Sequence, residues 1–138
     1  MGRLGRLMCG GVVAVGMVGS GSGGRVAAEE VFQLACVLSD TVDTSRGAAV
    51  CDEFLAAVRS QPEYAAAAVV SGPLTRGPGI EVRVDRASDI VLELTPTWLD
   101  RDGRRIPEAA LGIASADRKL SAARRSDLYL RLLGNRPF

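Results

Sequence analysis

The stretch IVLELTPTWL, residues 90–99, decides the fold of this chain because it carries the strongest strand pattern in the sequence. Apolar and polar side chains alternate along it, and this period of two is typical of a half-buried β-strand. The face predicted to be buried carries Ile90, Leu92, Leu94, Pro96 and Trp98. Because proline has no amide hydrogen to donate to a neighbouring strand, Pro96 predicts that this strand lies at a sheet edge, or that a bulge or break occurs there.

The segments on either side of this stretch complete a small sheet. Residues 100–104, DRDGR, carry a turn signal in which Gly103 is free to adopt positive φ. We expect a return strand at about residues 109–114. The alternating segment EVRVD, residues 81–85, predicts a third strand upstream. Together these segments predict a three-stranded antiparallel meander.

Two helices are predicted to flank this sheet. The apolar side chains of residues 44–60 recur with helical spacing, and Asp43 and the two residues after it are all credible N-caps. Ser121 is a credible N-cap for a second helix over residues 122–133, whose leucines form a seam for docking on the sheet.

Three other segments are less regular. Residues 31–38, VFQLACVL, and residues 64–70, YAAAAVV, have patterns that fit either a helix or a strand. Residues 71–79 contain three glycines and two prolines, which predicts a loop. The sheet is therefore expected to have three or four strands.

Residues 1–28 have the parts of a secretory signal peptide. Two arginines precede an apolar run over residues 7–18, and a Val-Ala-Ala sequence ending at Ala28 is suited to cleavage. The alternative is a membrane anchor, but the apolar run is shorter than the roughly 20 residues that a spanning helix needs. We therefore expect cleavage. This leaves residues 29–138 as a single small domain in the periplasm or the extracellular medium, with no stable membrane span.

The cysteines of the expected mature chain, Cys36 and Cys51, are predicted to form a disulfide, since an even number of cysteines in an exported chain pairs most simply. The alternative is a redox or catalytic thiol. The chain has no C-x-x-C motif and no histidine to act as a base, which disfavours that alternative. In the chain-entropy model, the loop of about 16 residues closed by this disulfide contributes on the order of 3 kcal/mol.

Charge is unevenly distributed along the expected mature chain. Residues 29–100 carry 5 basic and 12 acidic side chains, whereas residues 101–138 carry 9 basic and 4 acidic ones. The basic residues on and just before the second helix predict a basic face, comprising Arg118, Lys119, Arg124, Arg125 and Arg131. This face is either a solvated surface or a contact surface for an acidic protein, an anionic lipid or the protein's own acidic half. Nucleic acid is not an expected partner, because the mature chain is net negative and lacks a basic motif interleaved with aromatic residues.

The composition argues against an enzyme. Histidine, the commonest general base and metal ligand, is absent, so we expect no catalytic residue, no metal site and no cofactor. A carboxylate-based hydrolase is the less favoured alternative, because two acids can act as an acid and base pair. The carboxylates available to it are Asp85, Asp89, Glu93, Asp100 and Asp102.

Two resemblances to known proteins rest on the order of these elements. A signal peptide, a helix containing Phe54, three strands and a closing helix resemble the layout of the small periplasmic accessory protein of curli assembly. The motif V-C-x-x-F at residues 50–54, the strand bearing Trp98 and the S-x-x-x-x-x-x-L pattern that begins at Ser121 are similar to uncharacterised small exported bacterial proteins. The second resemblance supports the order of the elements and implies no activity.

These patterns predict an α+β domain with an N-terminal helix stapled by the disulfide, an antiparallel sheet of three to four strands and a C-terminal helix packed on the sheet. Its predicted core comprises Trp98, Leu92, Leu94, Leu111, Phe54, Leu55, Leu128 and Leu132. The function expected for such a domain is non-catalytic binding or assembly of other exported proteins, through an exposed strand edge or the basic face. An inhibitor or modulator of another exported protein is the alternative.

Overall fold

Residues 31–138 fold into a mixed six-stranded sheet with two helices packed on one of its faces. The computed structural model describes residues 31–138. The predicted signal peptide, residues 1–28, lies outside the described residues. Within the described part, no helix is long and apolar enough to cross a membrane.

The sheet combines parallel and antiparallel pairing. Its strands are β1 (Gln33–Leu38), β2 (Ala68–Val69), β3 (Gly79–Ala87), β4 (Val91–Leu99), β5 (Arg105–Pro107) and β6 (Leu111–Ala114). Their order is β2-β1-β3-β4-β5, and β6 also pairs with β4. Strand β1 runs parallel to both β2 and β3, whereas the other pairs are antiparallel.

The predicted meander is present as β3, β4 and β6, but the prediction of a purely antiparallel sheet of three to four strands is wrong. The segment 31–38, whose pattern fitted either a helix or a strand, contains β1. A helical connection follows it, so the chain returns to the sheet in the same direction, as parallel pairing requires. The connection places β1 between β2 and β3.

The prediction that the strand containing Pro96 lies at a sheet edge, or has a bulge or break at Pro96, is wrong, because β4 lies inside the sheet and continues through Pro96. On its outer side, β5 pairs with Thr97–Leu99 and β6 pairs with Val91–Leu94. The carbonyl oxygen of Pro96 faces this side and accepts from the amide of Glu108 at 3.0 Å. In an antiparallel ladder the N and C=O groups of one residue face the same side of the strand. The nitrogen of Pro96, which has no hydrogen to donate, therefore faces the gap between β5 and β6.

Both predicted helices are confirmed to within a residue or two. Helix α1 covers Thr44–Arg59, and the Asp43 side chain caps it by accepting from the amide of Arg46 at 3.0 Å. Helix α2 covers Ala122–Gly134, and the Ser121 hydroxyl accepts from the amide of Arg124 at 3.2 Å. A 3₁₀ turn at Pro62–Tyr64 leads from α1 towards β2.

The core lies between the two helices and the sheet. Six of the eight predicted core side chains are fully buried there, namely Phe54, Leu92, Leu94, Trp98, Leu128 and Leu132. Leu55 and Leu111 are only partly buried and pack against the margin of the core. Ile90 was also predicted to face inward, but it precedes β4 in the hairpin turn and is 44% exposed.

The predicted disulfide is confirmed and joins α1 to β1. Cys36 lies on β1 and Cys51 on α1, with their Cα atoms 5.7 Å apart. Nearby, the absence of a side chain at Gly47 allows α1 to approach the sheet. A Cβ atom there would lie 2.7 Å from a methyl carbon of Leu38.

The second face of the sheet is partly covered by the loop between β2 and β3. Leu74 of this loop is buried against Ala35 and Leu99. Its amide donates to Oε1 of Glu81 at 2.8 Å, and Arg105 donates to the carbonyl oxygen of Leu74 and to Oε2 of Glu81. These bonds tie the predicted loop to β3 and β5.

Candidate functional site

Among residues 31–138, strand β6 pairs only with β4 and so forms an open edge of the sheet. The amide of Ser115 donates to the carbonyl oxygen of Ile90 at 2.8 Å. The residues at alternate positions before Ser115, including Ile113, therefore direct their backbone N–H and C=O groups towards β4. The intervening residues Gly112 and Ala114 direct theirs away from the sheet, and both are exposed. Strand β6 thus presents the amides of Gly112 and Ala114 and the carbonyl oxygen of Gly112 for pairing with an incoming strand, whereas the carbonyl oxygen of Ala114 accepts from Arg124.

Basic side chains lie beside this edge. Arg124, in the first turn of α2, directs its Nη2 atom to the carbonyl oxygen of Ala114 at 3.5 Å. Arg118 and Lys119 are exposed in the segment that connects β6 to α2. Arg124 of the predicted basic face therefore lies against the edge of β6. The edge predicted from Pro96 was that of β4, which lies inside the sheet.

Arg131 lies farther along the exposed side of α2, seven residues after Arg124. This spacing corresponds to about 10 Å along a helix. Arg131 lines a shallow surface hollow together with Asp127 and Leu130. An acidic and an apolar side chain thus interrupt the predicted basic face between its two ends.

Arg125 does not belong to the exposed basic group. Its Nε and Nη2 atoms donate to the two carboxylate oxygens of Glu53 at 2.7 and 3.0 Å, and its Nη1 donates to the carbonyl oxygen of Leu120 at 2.8 Å. The hydroxyl of Tyr129, one turn later, donates to Oε1 of Glu53 at 2.6 Å. Since Glu53 lies on α1, Arg125 connects the two helices, and its partner belongs to the protein's own acidic half.

The protonation states of this group are set by its contacts. The hydrogen bonds from Arg125 hold the pKa of Glu53 below its usual range; partial burial opposes this shift and the bond from Tyr129 adds to it. Burial raises the pKa of Tyr129 far above its usual value, and the Glu53 carboxylate raises it further. At neutral pH Glu53 is therefore a carboxylate and Tyr129 a phenol. This arrangement joins two helices and does not poise either group for proton transfer.

Replacing Glu53 with glutamine is expected to lower the free energy of unfolding at pH 7 by about 1 kcal/mol, because charge-assisted hydrogen bonds are lost. The value is modest since the side chains of Arg125 and Glu53 remain 29% and 34% exposed. Because the pKa of Glu53 is lower in the folded than in the unfolded state, its contribution is complete above the usual glutamate pKa. This contribution to stability is lost as the pH falls through the pKa that Glu53 has in the folded state.

Urea unfolding of the wild type and the Glu53→Gln variant at pH 7 and at pH 3 measures this effect. The difference in unfolding free energy between the two proteins should shrink at the lower pH. The matched control is Glu63→Gln, which changes an exposed glutamate and should leave the unfolding free energy nearly unchanged. A difference for Glu53→Gln that is equal at both pH values would contradict the role of the ion pair.

A small hollow adjoins this interhelical ion pair. It has a volume of about 190 Å³ and is also lined by Arg46, Asp89 and Lys119. Nη1 of Arg46 lies 2.8 Å from Oδ1 of Asp89. The hydrogen bond from Arg46 holds the pKa of Asp89 below its usual range, with a smaller contribution from Lys119. The hollow is smaller than the roughly 300–1,000 Å³ of typical ligand pockets.

Three of the five carboxylates considered for a hydrolase have structural partners. Asp85 accepts from Nε of Arg83 at 2.6 Å and from the hydroxyl of Thr95. Asp89 pairs with an arginine, as described above, and Asp100 accepts from two backbone amides in the turn between β4 and β5. Among residues 31–138, no three acidic or cysteine side chains approach closely enough to hold a metal ion. These three carboxylates thus stabilise strands and turns.

The sequence patterns missed two groupings. The first is Glu53 as the partner of Arg125, which depends on how the helices pack. The second is a cluster of aromatic rings around Arg136, drawn from Phe32, Tyr64, Trp98 and Phe138. The rings come from distant segments, so no local spacing could have indicated the cluster.

Comparisons with known proteins gave no match. No family model, no curated protein and no solved structure matches the chain. The resemblances to the curli-assembly accessory family and to small exported proteins therefore remain predictions.

Proposed function

We propose that this chain is a non-catalytic exported protein that binds an extended acidic segment of another exported protein at the open edge of β6. The observation that carries the proposal is the outward direction of the backbone groups of Gly112 and Ala114, next to the guanidinium of Arg124. An incoming strand gains main-chain hydrogen bonds along such an edge, as in other cases of strand addition.

The composition of β6 supports this role. Charged residues and prolines on edge strands usually prevent pairing with other chains. The sequence of β6, Leu-Gly-Ile-Ala, contains neither. Strand β5, in contrast, contains Arg105 and Pro107. Of these two strands that flank β4, β6 is therefore the better acceptor for an added strand.

Charge selects the partner. Arg124 lies beside this edge, and Arg118 and Lys119 are exposed in the segment that follows β6, so acidic side chains on an incoming strand are attracted and basic ones are repelled. The predicted leader and the disulfide between Cys36 and Cys51 fit an oxidising compartment outside the cytoplasm. The proposed partner is therefore an acidic segment of another exported protein.

Titration with a synthetic peptide of alternating valine and aspartate tests the proposal. In ¹⁵N NMR spectra of the disulfide-bonded protein, the amide signals of Gly112 and Ala114 should shift. The substitution Ala114→Pro removes an outward amide hydrogen and should weaken peptide binding about tenfold, or about 1.4 kcal/mol. Arg124→Glu should weaken binding at low salt, with a smaller effect at high salt because ions screen exposed charges.

Matched controls separate edge binding from general charge attraction. Arg131→Glu makes the same charge change on the same helix, seven residues from Arg124, and should weaken binding less. A peptide of alternating valine and lysine should not bind. Shifts confined to α2, or binding that survives Ala114→Pro unchanged, would show that the edge is not the binding site.

A further inference from the structure

The guanidinium of Arg136, in the segment after α2, is surrounded by aromatic rings. Its Cζ atom lies 4.7 Å from the ring centroid of Phe138, 5.0 Å from that of Phe32 and 5.9 Å from that of Tyr64. Behind these rings, Trp98 packs against Phe32 and Phe138 in edge-to-face geometry, with centroids 6.3 and 6.1 Å apart. We call these four rings the aromatic cage. Ring faces attract cations, and such cages recognise quaternary ammonium groups in other proteins.

Arg136 is poorly matched to the cage in its hydrogen bonding. A guanidinium carries five N–H donors. Here Nη1 donates to the Tyr64 hydroxyl at 3.3 Å, while Nε is buried with no acceptor among residues 31–138. The buried Nε1 of Trp98 has no acceptor in this part of the chain either. The cage thus supplies ring faces in abundance but few hydrogen-bond acceptors, and a buried donor without a partner costs free energy.

An opening lined by two carboxylates and two guanidiniums lies next to the cage. A hollow of about 340 Å³ opens beside Arg136 and Phe138, and its other side is lined by Asp100, Arg101 and Asp102. The two carboxylates lie in the turn between β4 and β5, next to the cage. Of the four rings, Phe138 lines this hollow, so a small cation would approach the cage from the side of Phe138.

We propose that the aromatic cage is a binding site for a quaternary ammonium compound, and that Arg136 is an internal occupant that such a ligand displaces. A quaternary nitrogen has no N–H group, so its burial among the rings leaves no donor unsatisfied. It keeps the attraction between a cation and the ring faces. This site is separate from the strand edge of β6 and does not depend on peptide binding there.

Trp98 is the sole tryptophan of the chain, so its fluorescence reports on the cage directly. Wild type and Arg136→Ala are titrated with tetramethylammonium chloride and, at the same ionic strength, with sodium chloride. Removal of the internal occupant should lower the apparent Kd for tetramethylammonium at least tenfold. Adding Phe138→Ala to this variant should weaken binding again, because one ring face is lost.

Arg131→Ala is the matched control, since it removes an exposed arginine outside the cage and should bind tetramethylammonium as the wild type does. Equal affinities for Arg136→Ala and the wild type would overturn the proposal. If circular dichroism shows that Arg136→Ala is unfolded, the wild-type titration decides. A fluorescence change specific to tetramethylammonium then supports the site, and identical responses to both salts overturn it.

Discussion

Replacing Phe54 with alanine is expected to lower the free energy of unfolding by about 3–5 kcal/mol, the range found for large aromatic side chains deleted from well-packed cores. Phe54 is fully buried on the sheet-facing side of α1, and its ring packs edge-to-face on Tyr129 of α2 at a centroid distance of 5.7 Å. The substitution therefore removes apolar contacts with both the sheet and the second helix. For a small domain this is a large part of the total stability.

Urea unfolding followed by the fluorescence of Trp98 measures this effect, because the substitution leaves the reporter in place. The matched control is Leu55→Ala, one position along the same helix. Leu55 is only partly buried, so its loss should cost about 1 kcal/mol. Equal losses for the two variants would mean that α1 does not present the face that the structure shows.

Removing the disulfide is expected to have the next largest effect. The cross-link between Cys36 and Cys51 spans a sequence separation of 15 residues, and the chain-entropy model gives about 3 kcal/mol for a loop of this size. The double variant Cys36→Ala/Cys51→Ala, and the wild type in a reducing agent, should therefore unfold at lower urea concentrations. The same reducing agent should leave the double variant unchanged, which separates the disulfide from other effects of reduction.

The oxidation state in the native compartment gives a second measurement. The intact mass of protein recovered from the periplasm or medium should match residues 29–138 with the disulfide formed, as the predicted cleavage after Ala28 requires. A full-length reduced mass would contradict both export and oxidation. An unfolding midpoint that does not change on reduction would contradict the stabilising role of the cross-link.

Local signals predicted the helices and the central hairpin well. Asp43 and Ser121 cap helices that begin where expected, since a cap depends only on a side chain and the next few amides. Gly103 adopts a φ of 84° in the predicted turn, as a residue without a Cβ atom can. The pairing of Cys36 with Cys51 also followed from the sequence, because only two cysteines remain after the predicted cleavage.

Long-range pairing was not predictable in the same way. The apolar pattern of residues 31–38 fits a helix or a strand, and its place between β2 and β3 depends on pairing with strands that lie 30 or more residues away in the sequence. Arg125 belonged to a predicted basic face, yet it turns towards Glu53 on α1. The sequence shows which residues are charged, but the packing of the two helices determines which of them form ion pairs.

The features of the candidate sites also differ in whether local sequence or tertiary contacts determine them. The sequence by itself determined the α+β composition, the helix ends, the disulfide and the supply of basic residues near Arg124, because neighbouring residues or simple counting set each of these. Only the tertiary structure decided that Arg124 lies beside the edge of β6 and that three rings surround Arg136, with Trp98 packed behind them. Both features join residues that are distant in the chain, and such contacts form only when the whole sheet and both helices bury their apolar faces together.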